Sequence, residues 1–210
     1  GLGDVYKRQY QRRALQMKEY AIPDKNNPHN YMLDTCACSH IFNCQDSINI
    51  IKKSLELGFQ YYTTAIQDLE FDGEGSRTYD KNCISSNSRT RQELPQTVID
   101  RLNTMEQTLQ AKYVPEMATA LRDHSRLDGT VIFGDSKSLA FKLYQTIIEK
   151  NDPNSPNPFK NSHDALIAHS AMNHNCILVT DDKMIYRETN NLFPNRAITS
   201  KDLLNIINNL

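Results

Sequence analysis

The chain reads as an α/β domain, a parallel sheet of four to five strands with helices on both faces. Three observations predict this. Apolar or aromatic runs of strand length recur at Tyr31–Leu33, Phe59–Thr63, Val131–Phe133, Cys176–Thr180 and Ala197–Thr199. Segments of helical period lie between them, and strand–helix alternation argues for parallel pairing. Acids stand at strand ends: Asp34 follows Tyr31-Met32-Leu33, and Asp181 and Asp182 follow CILVT. Right-handed crossovers place all strand C-termini on one edge. That edge is where open α/β sheets bind their ligands.

The elements follow in order. Tyr10–Tyr20 is a short basic helix and Pro23–Asn30 a turn-rich linker. After the first strand, Ile48, Ile51 and Leu55 recur at helical spacing, and Gly58 suits the residue after that helix's end. Thr64 suits the N-cap of a helix over Ala65–Phe71. Asp72–Arg91 is rich in Gly, Ser, Asn and Thr and reads as a flexible loop. Leu94–Leu127 reads as mostly helical, as two helices broken near Pro115. Ser138–Glu149 is a helix, and Asn151–Asn161 a Pro/Asn loop. His163–His174 is a helix capped by Asn161 or Ser162, with Asp164 in its first turn and Asn175 at a left-handed end. A last helix covers Lys201–Asn208. Residues 1–30 are thus an extension, and residues 31–210 one domain with an insertion over about 72–127. Within the extension, DVYKRQ (Asp4–Gln9) resembles the translation of a transposon-based sequencing adapter, so residues 1–9 are set aside from fold reasoning.

Composition excludes more than it assigns. Of 210 residues 39% are hydrophobic, enough for one core. A net charge of −1 gives no global attraction to nucleic acid, so a nucleic-acid enzyme would need a local basic surface. No apolar run reaches the length of a membrane span, and no secretory signal is visible. Five cysteines without scaffold spacing point to reduced thiols and a cytoplasmic protein. Cys36, Cys38, His40 and Cys44 lack the paired short arms of a zinc site and read as residues of a helix after Asp34.

Four strings in order resemble the PIN-domain nucleases, which include the VapC-like toxins. YMLDTCACSH stands where the family opens with a strand and D-T-N. FQYYTTAIQDLE fits its strand, hydroxyl and Glu, with Thr64 and Glu70. VIFGDSKSLAFKLYQTI (Val131 to Ile147) is similar to its short strand, acid and helix. DALIAHSA and LVTDD match its late helix and following strand. Each string alone is weak; four in the right order are fairly specific. The resemblance runs from about Tyr31 to the C-terminus. Cys36 departs from it, standing where the family has Asn, and the stretch from Phe71 to Arg126 is longer than in compact members.

The resemblance implies a three-layer α/β/α PIN-like fold and a metal-dependent endoribonuclease. Its catalytic and metal-binding carboxylates would be Asp34, Glu70, Asp164 and Asp182, with Asp181 as a further metal ligand. Such carboxylates suit Mg²⁺ or Mn²⁺, which take oxygen ligands and help activate a water for phosphodiester hydrolysis. The bland alternative is that an Asp after a strand caps the next helix or turn, and that Asp164 complements a helix dipole. Thr35 and Thr180 stand beside the acids as substrate- or carboxylate-contacting hydroxyls. Arg77, Lys81, Arg89 and Arg91 are the candidate RNA-phosphate contacts, with Asp80 the one acid between them. RNA is the expected substrate; an antitoxin protein and a second copy of the chain are the protein partners this reading admits. The competing functions are a non-catalytic PIN-like module binding RNA or protein, and a related metal-dependent DNA nuclease or phosphatase.

Overall fold

The computed structural model describes residues 21–64, 66–67, 96–114, 116–118, 131–133, 137–150 and 161–210. Among them, five strands form one wholly parallel sheet. The first, β1 (Asn30–Leu33), is buried at all four positions, as a strand covered on both faces must be. It pairs on one side with β2 (Gln60–Thr63), with Tyr31 opposite Tyr61, and on the other with β6 (Ile177–Val179), with Met32 opposite Leu178. Outside these lie β3 (Lys112–Tyr113) beside β2 and β7 (Ala197–Ile198) beside β6. The spatial order is β3-β2-β1-β6-β7. Early strands spread one way from β1 and late strands the other, so the order reverses between β1 and β6. A crevice opens at such a switch point, beyond the strands' C-terminal ends.

Seven helices are described, and they bury two faces of this sheet. Alternation along the strands sends Met32, Tyr62, Leu178 and Ala197 to one core. There they meet α4 (Leu139–Glu149), α5 (Ser162–Asn173) and Ile185 of α6 (Lys183–Leu192). Tyr31, Leu33, Tyr61 and Val179 enter the other core, against α1 (Thr35–Ile41), α2 (Gln45–Glu56), α3 (Gln96–Leu109) and α7 (Ser200–Asn208). Residues Ala165–Met172 of α5 are buried without a break, so this helix is enclosed all round; its small residues allow that.

Helix ends follow the sequence closely. Gly58 adopts φ +84, and the Phe59 and Gly58 amides close onto Ser54 and Leu55 carbonyls, the double bond of a Schellman end. Asn175 does the same after α5 at φ 56. Cys176 N–H reaches the Ala171 carbonyl at 2.8 Å. Ser138 caps α4 by accepting from the Phe141 amide.

Two expectations are corrected. Leu94–Leu127 is not helical throughout: α3 stops at Leu109, because Gln110 takes φ 47 and the chain then pairs as β3 with β2. Val114 N–H extends that pairing to the Thr63 carbonyl at 2.9 Å. The strand Val131–Phe133 (β5) is formed, but it pairs with β4 (Glu116–Ala118) in a separate two-stranded sheet rather than in the central one. The proposed loop 72–91 and residues 119–130 of the insertion lie outside the described residues.

Candidate functional site at the strand ends

Asp34 ends β1 at the switch point. Its amide donates to the Val179 carbonyl at 2.9 Å, so the ladder with β6 runs right up to it. Its own carbonyl receives the Cys38 amide at 3.0 Å, which starts α1. Asp34 is therefore the N-cap residue of α1 by backbone, yet its side chain makes no cap hydrogen bond. The carboxylate turns instead across the sheet. Thr180, the residue after β6, donates its hydroxyl to Asp34 Oδ2 at 2.7 Å. The Cys36 thiol donates to the same oxygen at 3.0 Å, and the Thr35 hydroxyl reaches Oδ1 at 3.3 Å. Asp34 is 3% exposed, so this is a nearly buried acid oriented by hydroxyls and a thiol rather than used as a cap.

The next layer fixes that geometry. Thr180 is fully buried, and its hydroxyl oxygen accepts the Asp182 amide at 3.2 Å while donating to Asp34. A hydroxyl that both accepts and donates is polarised in the direction that strengthens each bond. Cys36 Sγ accepts the Asp181 amide at 3.4 Å. Burial first, and then the neighbouring Asp34 charge, push the Cys36 thiol up to about 12. Cys36 is thus a neutral donor that tethers Asp34. Gln67, a residue without any sequence signal, is 1% exposed and closes the other side. Its amide nitrogen donates to the Leu33 carbonyl at 3.2 Å, next to Asp34 in the chain. Its oxygen accepts both the amide and the hydroxyl of Thr64, at 2.7 and 2.6 Å. The Thr64 hydroxyl also accepts the Ile66 amide, in the manner of a helix cap, and so is spent on local structure.

The two acids after β6 take different tasks. Asp182 is exposed, and its Oδ1 accepts the Met184 and Ile185 amides at 2.8 and 2.9 Å, the N-cap of α6. Asp181 is pinned on both oxygens. Oδ1 accepts the Ser200 amide at 3.0 Å, at the start of α7, and Oδ2 lies 2.7 Å from His40 Nδ1 on α1. Burial alone would raise its pKa, but the bonds from Ser200 and His40 outweigh this and hold it below the ordinary carboxylate value. His40 and Asp181 are 141 positions apart in the chain, and no local pattern in the sequence marks the pair.

Asp164 stands in the first turn of α5, and only the run of that helix relates it to the strand ends. Because α5 and β6 share one core cluster and a tight turn at Asn175, the helix runs back along the strand. From Asn173 back to Asp164 is about 14 Å of helix. From Cys176 on to Thr180 is about 13 Å of strand. Asp164, half-buried in the first turn of α5, is thus level with the strand ends. Glu70, Arg77, Lys81, Arg89 and Arg91 lie outside the described residues. Among the described residues, no group of three His, Cys, Asp or Glu side chains stands ready to hold a metal ion. The donor chemistry is nonetheless of the right kind, since carboxylate oxygens are what Mg²⁺ and Mn²⁺ take.

The fold and this edge define an open parallel α/β domain with an acidic switch point. No family model, no curated protein and no solved structure matches the chain. Among the described residues, no helix is long and apolar enough to cross a membrane.

Proposed function

We propose that the chain is a metal-dependent endoribonuclease of PIN type, with that family's three-layer fold. One observation carries the reading. Asp34 occupies a helix N-cap position but withholds its carboxylate from the cap and holds it nearly buried against Thr180 at the switch point. An aspartate that served only the start of the helix would turn its side chain onto the first-turn amides. A buried, pre-oriented carboxylate at a ligand-binding edge is the group a hard cation needs.

In this reading Asp34, Glu70, Asp164 and Asp182 would hold Mg²⁺ or Mn²⁺. Such an ion, when bound, neutralises charge on the phosphate and makes a water more acidic. The chain's own residues do the rest. Thr180, Cys36 and Thr35 fix the Asp34 carboxylate in one orientation. Asp182 uses Oδ1 to start α6, which fixes its position at the strand end, from where it would help hold the ion. Arg77, Lys81, Arg89 and Arg91 draw the RNA backbone to an otherwise nearly neutral protein. The RNA strand lies across the crevice between β1 and β6.

A second reading is favoured by one observation, the absence of a three-ligand metal group among the described residues. It is a non-catalytic module on the same fold that binds RNA or protein. Incubating the chain with RNA, DNA and a small phosphate ester, with Mg²⁺ or Mn²⁺ and with EDTA, separates the two. Divalent-dependent cleavage of RNA supports the ribonuclease. RNA binding without cleavage under any condition supports the module. Cleavage confined to DNA or the ester overturns both.

A further inference from the structure

The ladder between β1 and β2 breaks at one rung, the rung beside Asp34. The register pairs Met32 with Tyr62, and the Gln60 amide meets the His29 carbonyl at 2.9 Å. Carried along the strands, the same pattern brings the Thr64 amide to the Leu33 carbonyl. That bond is not made. The Thr64 amide donates to Gln67 Oε1 at 2.7 Å, and Gln67 Nε2 donates to the Leu33 carbonyl at 3.2 Å. The Gln67 carboxamide is thus inserted where a direct bond would close the sheet. Its orientation is set by its partners, since the amide must meet its oxygen and the carbonyl its nitrogen. The neighbouring seams are intact at this level: the Val114 amide reaches the Thr63 carbonyl and the Asp34 amide the Val179 carbonyl, both at 2.9 Å.

The strands do not require this insertion, because their own groups complement each other. It immobilises a long side chain at 1% exposure, which costs rotamer freedom, to do what one backbone bond does. What it adds is width. One bond becomes two with an amide between them, so the ends of β1 and β2 stand apart. The residue after Leu33 is Asp34, 3% exposed and tied on its β6 side by Thr180. The seam with β6 is bonded right up to Asp34, and the seam with β2 is spread. An ion such as Mg²⁺ takes an octahedron of oxygens at about 2.0–2.1 Å, and so needs room beside a carboxylate this deeply set. We propose that Gln67 is a positioning residue for the cation: standing in the last rung between β1 and β2, it keeps the strand ends apart and opens the Asp34 carboxylate to a divalent ion. It acts through the backbone at Leu33 and touches neither ion nor RNA. This rests on the ribonuclease reading.

The test is Mn²⁺ binding by the full chain without RNA, followed by the electron paramagnetic resonance signal of the free ion. Gln67→Ala removes the spacer, so the Thr64 amide and the Leu33 carbonyl can close on each other. It is expected to bind Mn²⁺ about ten- to a hundredfold more weakly, the loss typical of a group that supports a metal ligand from behind. Raising Mn²⁺ in proportion restores its RNA cleavage. Gln67→Met keeps the length without the hydrogen bonds. It melts below the parent, because two buried backbone groups lose their partners, yet binds Mn²⁺ within about threefold of it. A purely structural role predicts instead that affinity follows the melting temperature in both variants. Each variant decides alone if the other fails to fold: parental affinity in Gln67→Ala, or a loss of about tenfold or more in Gln67→Met, overturns the inference. If the parent binds Mn²⁺ and cleaves RNA while Gln67→Ala matches it, this inference alone falls. If the parent neither binds Mn²⁺ nor cleaves RNA, the ribonuclease reading falls with it.

Discussion

Thr180 donates its hydroxyl to Asp34 at 2.7 Å, joining the ends of β1 and β6 across the point where strand order reverses. Both residues are buried, and they are 146 positions apart in the chain. Thr180→Val keeps the shape and removes the donor. It is expected to cost about 1.5–3 kcal/mol, as for a bond to a charged group. Loss of a group that orients a metal ligand is expected to slow divalent-dependent RNA cleavage about ten- to a hundredfold. Urea unfolding and cleavage rates check the two effects; a variant matching the parent in both shows that the bond does not orient Asp34.

Asp182 separates a cap from a ligand. Asp182→Asn retains an oxygen for the Met184 and Ile185 amides, so stability should stay within a few tenths of a kcal/mol, whereas Asp182→Ala should lose about 1 kcal/mol. Both variants should lose Mn²⁺-dependent cleavage. If Asp182→Asn cleaves as fast as the parent, Asp182 is a cap alone and the metal is held by others.

Thiol reactivity should follow burial and charge. Cys36 and Cys176 are both pushed up to about 12, first by burial, and so are neutral thiols at working pH. Cys44 is exposed, and the Ser47 amide and hydroxyl hold its pKa below the ordinary value. Peptide mass spectrometry after brief iodoacetamide treatment should show Cys44 modified in the folded protein and Cys36 and Cys176 only after denaturation. Rapid native labelling of Cys36 would show that its bond to Asp34 is not formed.

Asp181 sets an acid limit. Its folded pKa lies below its ordinary value of 3.8, because the bonds from Ser200 and His40 outweigh burial. The stability it contributes is fully present above the unfolded pKa, and is lost as the pH falls from about 4 through the depressed folded value. Asp181→Asn should flatten the fall in thermal midpoint over that range. An unchanged acid profile would mean the carboxylate gains nothing from Ser200 and His40.

The sequence carried the central strands because Tyr31–Leu33, Tyr61–Thr63 and Ile177–Val179 are short, apolar or aromatic, and followed by polar ends. It carried Gly58 and Asn175 because those residues favour the left-handed conformation they adopt. It did not carry β3, two residues long, since no alternation exists at that length and the break before it is at an ordinary residue, Gln110. Nor did it carry helix α6, whose buried positions include Glu188 and Thr189 among few aliphatics. At the site, Asp34, Thr180, Asp181 and Asp182 were legible as strand-end residues. Their tasks were not, because cap, ligand and orienting acid look alike until the partners are placed. Gln67 and the His40–Asp181 pair depend on long-range contacts with no local pattern.

The account rests on Asp34 being a catalytic carboxylate rather than a structural one, and Asp34→Asn tests that directly. The variant loses an acceptor for buried donors and should cost about 1–3 kcal/mol, within the margin of an ordinary domain. Its rate of Mn²⁺-dependent RNA cleavage, measured beside the parent in samples that both melt cooperatively, is the decisive quantity. Removing a residue that merely orients a ligand costs ten- to a hundredfold, so removing the ligand is expected to cost more than about a hundredfold. A folded Asp34→Asn variant that cleaves RNA at the parental rate would contradict the account.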